Sequence, residues 1–518
     1  MMRKSVVCTV VLLSAAVASM GQSRDDNWNR CKGDDPDTSI AGCTALIESG
    51  QESTNDLASA YFDRGIAYRD KKDLEMAMKD LDQALKLKPE FAGALNSRGN
   101  TYSDEGQYDR AIADYDDAIR FDQNYALAYY NRGNAWGNKH EWDKAIADYD
   151  QYVKMAADDP DGFNNRGHAY MMKGQYDRAI QDFDEALRLK PTHDLAIFNR
   201  GLSESDKHQY DQAVADFTKY IALKPSDPDG FQDRGNAYRH QGQYEEAVAD
   251  YSQALKLDAK YPTAYYYLGI IDGREGRYDS AIENYSQYIG LAPKDPDGYS
   301  GRALIYYQKG LYQQAIADYD KANEVSPNNA FAFFGRECTH LLEGQTSKAV
   351  ADFELSIGAD PTSTRATYSL LWLHLAKKRL GEDDAQELAE DAAKVDLSQW
   401  PGAALKLDLG QIPAEAVFAA AVDSNPQVTK DQMCEANFYT AEDALLHGQR
   451  TTALARFKAA RDGCPKDFQE YAMTLAEMKR LGTTPVAKSA APVANHAVPA
   501  ARSAASVAGA AASSTRSK

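Results

Sequence analysis

Three groups of residues have types and spacings that could do chemistry. The first is a set of acidic pairs in segments such as AIADYDDAI at 111–119. Two carboxylates can act as general acid and base when their surroundings push their pKa values apart. Here the same acids return at a fixed interval along the chain, as a structural element does. The second is Cys338, with Glu337 beside it and His340 two residues on. A thiol served by a His is a nucleophile arrangement, but helical neighbours one or two apart point in different directions. The third is the cysteines: Cys31 with Cys43 and Cys434 with Cys464 are candidate disulfides, and Cys338 is left over. The nine His include no paired helical zinc motif, and the Gly residues form no phosphate-cradling loop. No catalytic residue, metal site or cofactor is expected, and the chain is read as a non-enzyme.

The elements that carry these residues repeat. A period of 34 runs without insertion or deletion from Ala58 to Ser363, giving nine units. Position 20 of every unit is Ala, from Ala77 to Ala349. Position 8 is Gly from Gly65 to Gly269, position 15 is Gly in six units, and position 24 is aromatic from Tyr115 to Phe353. Apolar residues at helical spacing predict two amphipathic helices per unit. Gly at position 15 ends the first helix, and small residues at positions 8 and 20 let the two helices approach.

Two substitutions travel together. Position 7 is Arg in eight units, among them Arg98, Arg132 and Arg166. Position 23 is Asp in the same eight, among them Asp114, Asp148 and Asp182. The seventh unit departs from both, with Leu268 and Asn284. The joint exception predicts a structural ion pair between the helices of each unit: replacing both partners of a buried pair is tolerated, whereas removing one is not. A second correlation links units. Position 27 is Tyr at Tyr152, Tyr220 and Tyr288, and the next position 3 is then Gly162, Gly230 or Gly298. Where position 27 is Ala, the next position 3 is Ala. A ring therefore meets a missing side chain, since overfilling a core costs about 1–3 kcal/mol. Asp-Pro-Asp before each such Gly suits a helix start.

These residues resemble the tetratricopeptide repeat (TPR). The resemblance implies an all-α, right-handed superhelical solenoid with a groove lined by positions 2, 5, 9 and 12 of the first helices. Position 5 alternates between aromatics (Tyr130, Phe198, Tyr266) and polar residues (Asn96, Asn164, Gln232). Position 9 adds Asn100, Asn134, His168 and Asn236. Rings for side chains and amides for a backbone suit an extended peptide, so these ten residues are the expected peptide-binding groove. Positions 2 and 5 hold no Lys or Arg, which excludes the carboxylate clamp of chaperone-binding relatives.

The ends differ from the array. Residues 1–20 hold Arg3 and Lys4, then an apolar run from Val6 to Ala18, and read as a signal peptide. The run is too short to span a bilayer, and no Cys follows a cleavage point to carry a lipid. Residues 21–57 read as a helical cap. Helical pattern continues through 364–481, with a further repeat at 434–467 marked by Ala441, Gly448, Ala453, Phe457 and Ala460. The segments SLLWLHLAKKRLGED and CEANFYTAEDALLHGQRTTALARFKAA resemble the C-terminal half of the new-lipoprotein-I type of bacterial envelope TPR adaptor. That family brings a periplasmic protease and cell-wall hydrolases together. The tail, 482–518, is rich in Ala, Ser and Pro and is expected to be disordered.

The net charge of −19 excludes nucleic acid as a partner, because phosphate backbones are bound through clustered Lys and Arg. The expectation is an exported, periplasmic scaffold that binds proteins or extended peptide segments, without an integral membrane span. Secretion, a role in assembling a surface polysaccharide or protein export system, and an enzyme site in the C-terminal helices stand as alternatives.

Overall fold

The computed structural model describes residues 23–327, 329–359, 363–465 and 468–482, so the signal-peptide reading and the tail from Thr483 onward lie outside the described residues. Every regular element among them is a helix. The chain divides into two compact units, the first ending at Pro225 and the second beginning at Ser226. No described helix is long and apolar enough to cross a membrane.

The first unit opens with α1 (Arg24–Cys31) and α2 (Pro36–Ser49), a hairpin closed by the Cys31–Cys43 disulfide with a Cα–Cα distance of 4.5 Å. Five repeat hairpins follow: α3 (Thr54–Asp70) with α4 (Leu74–Leu87), α5 (Ala92–Asp104) with α6 (Tyr108–Phe121), α7 (Ala126–Asn138) with α8 (Trp142–Met155), α9 (Pro160–Met172) with α10 (Tyr176–Leu189), and α11 (Asp194–Asp206) with α12 (Tyr210–Leu223). Helix α3 starts four residues ahead of the expected unit boundary at Ala58, because Ser53 caps it by accepting a hydrogen bond from the Asp56 amide at 3.2 Å.

The second unit holds four more hairpins: α13 (Pro228–His240) with α14 (Tyr244–Leu257), α15 (Pro262–Arg274) with α16 (Tyr278–Leu291), α17 (Pro296–Gln308) with α18 (Tyr312–Val325), and α19 (Ala330–Leu342) with α20 (Thr346–Ala359). Then come α21 (Thr364–Leu380), α22 (Ala385–Ala392), α23 (Gly402–Asp408), α24 (Ala414–Ala420), α25 (Pro426–Leu446), α26 (Arg450–Gly463) and α27 (Gln469–Arg480). The period stops at α21 for a physical reason. Leu370, Leu371, Trp372, Leu373 and Leu375 are all buried there, so the helix is enclosed on several sides and has no single apolar stripe. Helices α25 and α26 form the later repeat-like hairpin, closed by the Cys434–Cys464 disulfide. Its first helix begins at Pro426, eight residues before the boundary expected at Cys434.

Within each repeat the small positions do what their size allows. Every position-20 Ala, from Ala77 to Ala349, is fully buried. Position 15 takes the left-handed conformation in all nine repeats: in six it is Gly, as at Gly106 (φ 74°), and in three it is Lys72, His140 or His208. A residue with a Cβ is strained there by about 1–2 kcal/mol.

Candidate peptide-binding face

The ion pairs are two-point contacts. The Nε and Nη2 of Arg98 donate to both oxygens of Asp114 at 2.8 Å, and Arg132 meets Asp148 in the same way at 2.8 and 2.6 Å. Arg166 and Asp182 repeat the arrangement. Five further hairpins have it, including Arg64 with Asp80 and Arg336 with Asp352. Burial pushes the Asp148 carboxyl up while Arg132 pulls it down. The remaining nitrogen, Nη1, was not anticipated. It reaches back to position 25 of the preceding hairpin: Arg98 to Asp82 at 2.7 Å, Arg132 to Asp116 at 2.5 Å, Arg166 to Asp150 at 2.8 Å. Each of these three Arg thus closes its own hairpin and latches it to its neighbour. The sequence signal was present, as position 25 is Asp at all three positions. In the seventh repeat Asn284 donates instead to Asp272 at 2.8 Å.

The Tyr–Gly joints form between successive repeats inside each of the two compact units. A Cβ on Gly162 would lie 2.6 Å from the Tyr152 ring, and one on Gly298 would lie 2.6 Å from Tyr288. Tyr220 and Gly230 belong to different units. The Asp of the DPDG motif serves twice. Asp295 Oδ1 caps α17 by accepting from the Asp297 amide at 2.9 Å, and its Oδ2 accepts from the Tyr288 hydroxyl at 2.6 Å. Asp159 does the same for α9 and Tyr152.

The expected groove amides are largely consumed by packing, which corrects the sequence reading. Asn96 and Asn164 are only 4% and 5% exposed. Asn96 Oδ1 accepts from Asn131 at 2.9 Å; Asn164 donates to Asn165 at 3.1 Å and accepts from Asn199 at 3.3 Å. They belong to an amide ladder between successive first helices. Asn100, Asn134 and Asn236 accept from the buried hydroxyls of Tyr115, Tyr149 and Tyr251 at 2.7, 2.7 and 2.8 Å. All three repeats with Asn at position 9 have Tyr at position 24, so the hydroxyl explains the amide. Gln232 accepts from the Thr263 hydroxyl. His168 packs edge-on against Trp142 at 6.0 Å, and burial lowers its pKa. The reason is common to all: a tightly stacked hairpin leaves few polar side chains on its first helix free of its neighbours.

The aromatics are divided. Tyr130, Phe198 and Tyr266 are half-buried, their rings tilted against those of Tyr152, Tyr220 and Tyr288 at 4.8, 4.7 and 5.2 Å. Burial, with Asp161 and Asp159 nearby, pushes the Tyr130 hydroxyl up to about 12. They fill space beside the Tyr–Gly joints and still present an edge. At position 2 the first compact unit has three successive exposed residues, Leu127, Asp161 and Leu195, the two leucines at 50% and 41%, while Ser59 and Gly93 before them are half-buried. Asp161 is also exposed and holds the buried His193 ring at 2.9 Å.

Models of the TPR repeat match residues 99–140 and 235–271, and models of the tetratricopeptide repeat match 58–91, 160–193, 217–249 and 266–330. The array is built of tetratricopeptide repeats. Similar solved structures include MamA from Desulfovibrio magneticus RS-1, at 24% identity over 32% of this chain and 95% of that one, with a TM-score of 0.32. YrrB, described as a TPR protein with an unusual peptide-binding site, matches at 23% over 36% of this chain and 95% of its own, with a TM-score of 0.33. PilF from Pseudomonas aeruginosa matches at 16% over 40% of this chain and 95% of its own, with a TM-score of 0.37. Beyond these matched ranges, which run to residue 330, α19 and α20 form a ninth hairpin with the same Arg336–Asp352 pair. No group of His, Cys, Asp and Glu among the described residues is arranged to hold a metal ion.

Proposed function

We propose that this TPR chain is a protein-binding scaffold of the bacterial envelope, taking an extended partner segment that carries apolar and basic residues. The observation that carries the reading is the exposed row Leu127, Asp161, Leu195, which alternates apolar and acidic on successive first helices. The edges of Tyr130 and Phe198, on the same helices as the two leucines, add aromatic contact area. A segment with the complementary order of side chains would bury the leucines and neutralise the carboxylate. The leader-like start and two disulfides, Cys31–Cys43 and Cys434–Cys464, support an oxidising compartment outside the cytoplasm. The resemblance of residues 369–482 to envelope adaptors supports a partner set of periplasmic protease and cell-wall hydrolases.

The test is affinity capture from an envelope extract with the wild-type chain and with a Leu127→Asp/Leu195→Asp variant. Capture of proteases or cell-wall hydrolases by the wild type, with at least tenfold less recovered by the variant, supports the reading. Equal recovery by both removes this face from the proposal. Capture of other proteins only removes the adaptor role.

A further inference from the structure

The last helix lies on the face from which a TPR would bind its ligand. Helix α27 contacts α19, the first helix of the ninth repeat, as well as α25 and α26. Gln469, its first residue, accepts a hydrogen bond from the Cys338 thiol at 3.1 Å. Ala472, one turn on, packs into the cluster that holds Tyr307 and Leu342. Cys338 is position 9 of the ninth repeat and Tyr307 is position 12 of the eighth, both positions that line a TPR groove. The chain therefore covers part of the first-helix face of its own last two repeats.

The contact is held by an uncommon set of buried groups. Glu470 of α27 accepts from the Tyr439 hydroxyl of α25 at 2.8 Å. Glu435, also on α25, accepts from the Tyr368 hydroxyl of α21 at 2.7 Å and from the Trp400 indole at 2.6 Å. Both glutamates are nearly inaccessible to water, at 6% and 7% exposure, and among the described residues Arg379 pairs with Glu442 and Glu477 of the same two helices instead. The groups facing the pair from the packed elements are Tyr439 on α25, Tyr368 on α21, Tyr307 on α17 and Cys338 on α19, with Asp431 further along α25. None is a base that would be charged at neutral pH. Burial and the neighbouring Glu470 push Glu435 up to about 8, and burial raises Glu470 as well. Two further groups oppose docking: the buried Tyr307 hydroxyl and Thr474 Oγ1 of α27 have no hydrogen-bond partner among the described residues, and such groups retain their full desolvation cost.

We propose that α27 is a displaceable occupant of the first-helix face of the eighth and ninth repeats, latched by the Glu435–Glu470 seam and released as pH rises. The inference concerns the chain's own helix and does not rest on the partner reading above. The carboxyls stay neutral while docked. Once both ionise, repulsion and desolvation favour undocking, and Cys338 and Tyr307 are uncovered.

Cys338 reports the state of the latch, since Gln469 covers its thiol. The experiment follows maleimide labelling of the full chain, with Cys338 resolved from Cys8 by peptide mapping. Each rate is divided by that of Cys338 in the urea-unfolded chain at the same pH, which removes the thiol's own titration. The expected result is a ratio that rises at least tenfold from pH 6 to pH 9 with helical circular dichroism unchanged. In Glu470→Gln, or in Glu435→Gln should the first variant not fold, the ratio stays near its pH 6 value. A ratio that does not change with pH overturns the proposal. So does a rise that comes only with loss of helical signal, or one of equal size in a folded Gln variant.

Discussion

Eight hairpins bury an aspartate against an arginine, while the helices from α21 onward bury Glu435 and Glu470 against hydroxyls and an indole. The two solutions behave differently. An Arg–Asp pair with two matched hydrogen bonds keeps both groups ionised over the whole physiological range. A carboxyl held by neutral donors is stable only while it keeps its proton. The Arg–Asp pairs of the repeats therefore keep their charges across the physiological range, whereas the Glu435–Glu470 pair responds to pH.

The comparison can be broken most directly at one ion pair. Arg132→Ala leaves Asp148 buried without its partner and should cost about 3–5 kcal/mol, measured by urea unfolding. The double change Arg132→Leu/Asp148→Asn copies the seventh repeat at these two positions, without the Asp272 that Asn284 bonds there, and should recover part of that loss. A double variant as unstable as the single one would refute the pair as a replaceable unit.

The pH response sharpens the contrast. Glu435 has a folded pKa near 8 against an ordinary value of 4.5, so the proton is bound more tightly in the folded state. Its contribution is fully present below about pH 4.5 and is lost as pH rises through about 8. The melting temperature of the full chain should fall over that window, and Glu435→Gln should flatten the fall. Arg132→Leu/Asp148→Asn should leave its slope unchanged.

Two smaller effects probe the repeats alone. Gly162→Ala places a methyl 2.6 Å from the Tyr152 ring and should cost about 1–3 kcal/mol. Less should be lost when Tyr152 is also changed to Ala, and a coupling near zero in the double-mutant cycle would dissolve the joint. His140→Gly relieves a left-handed residue at φ 59° and should stabilise by about 1 kcal/mol. The same change gains nothing if the His140 ring, 5.6 Å from Trp142, contributes as much as the strain removes.

Much of the fold was legible because the chain repeats itself. Nine copies let a rule be read from its exceptions. Leu268 with Asn284 exposed the ion pair, and Gly162 and Gly298 exposed the ring-to-glycine joint. The binding face was less legible. A side chain such as Asn96 has the type a peptide groove needs, but type does not reveal whether a neighbouring hairpin has already claimed it. The Asn100–Tyr115 bond and the reach of Arg98 to Asp82 had signals in the register, at positions 9 with 24 and 25 with the next 7.

By itself the sequence determined the helical hairpin, its 34-residue register, the Arg–Asp pairs and both disulfide pairings, because all of these are local or recur at a fixed offset. Only the tertiary structure decided that Asn96 and Asn164 are internal, that Leu127 and Leu195 stand exposed, and that α27 folds onto α19. Those outcomes depend on contacts between elements far apart in the chain, such as Cys338 with Gln469. Such a contact occurs once, so no second copy in the sequence can announce it.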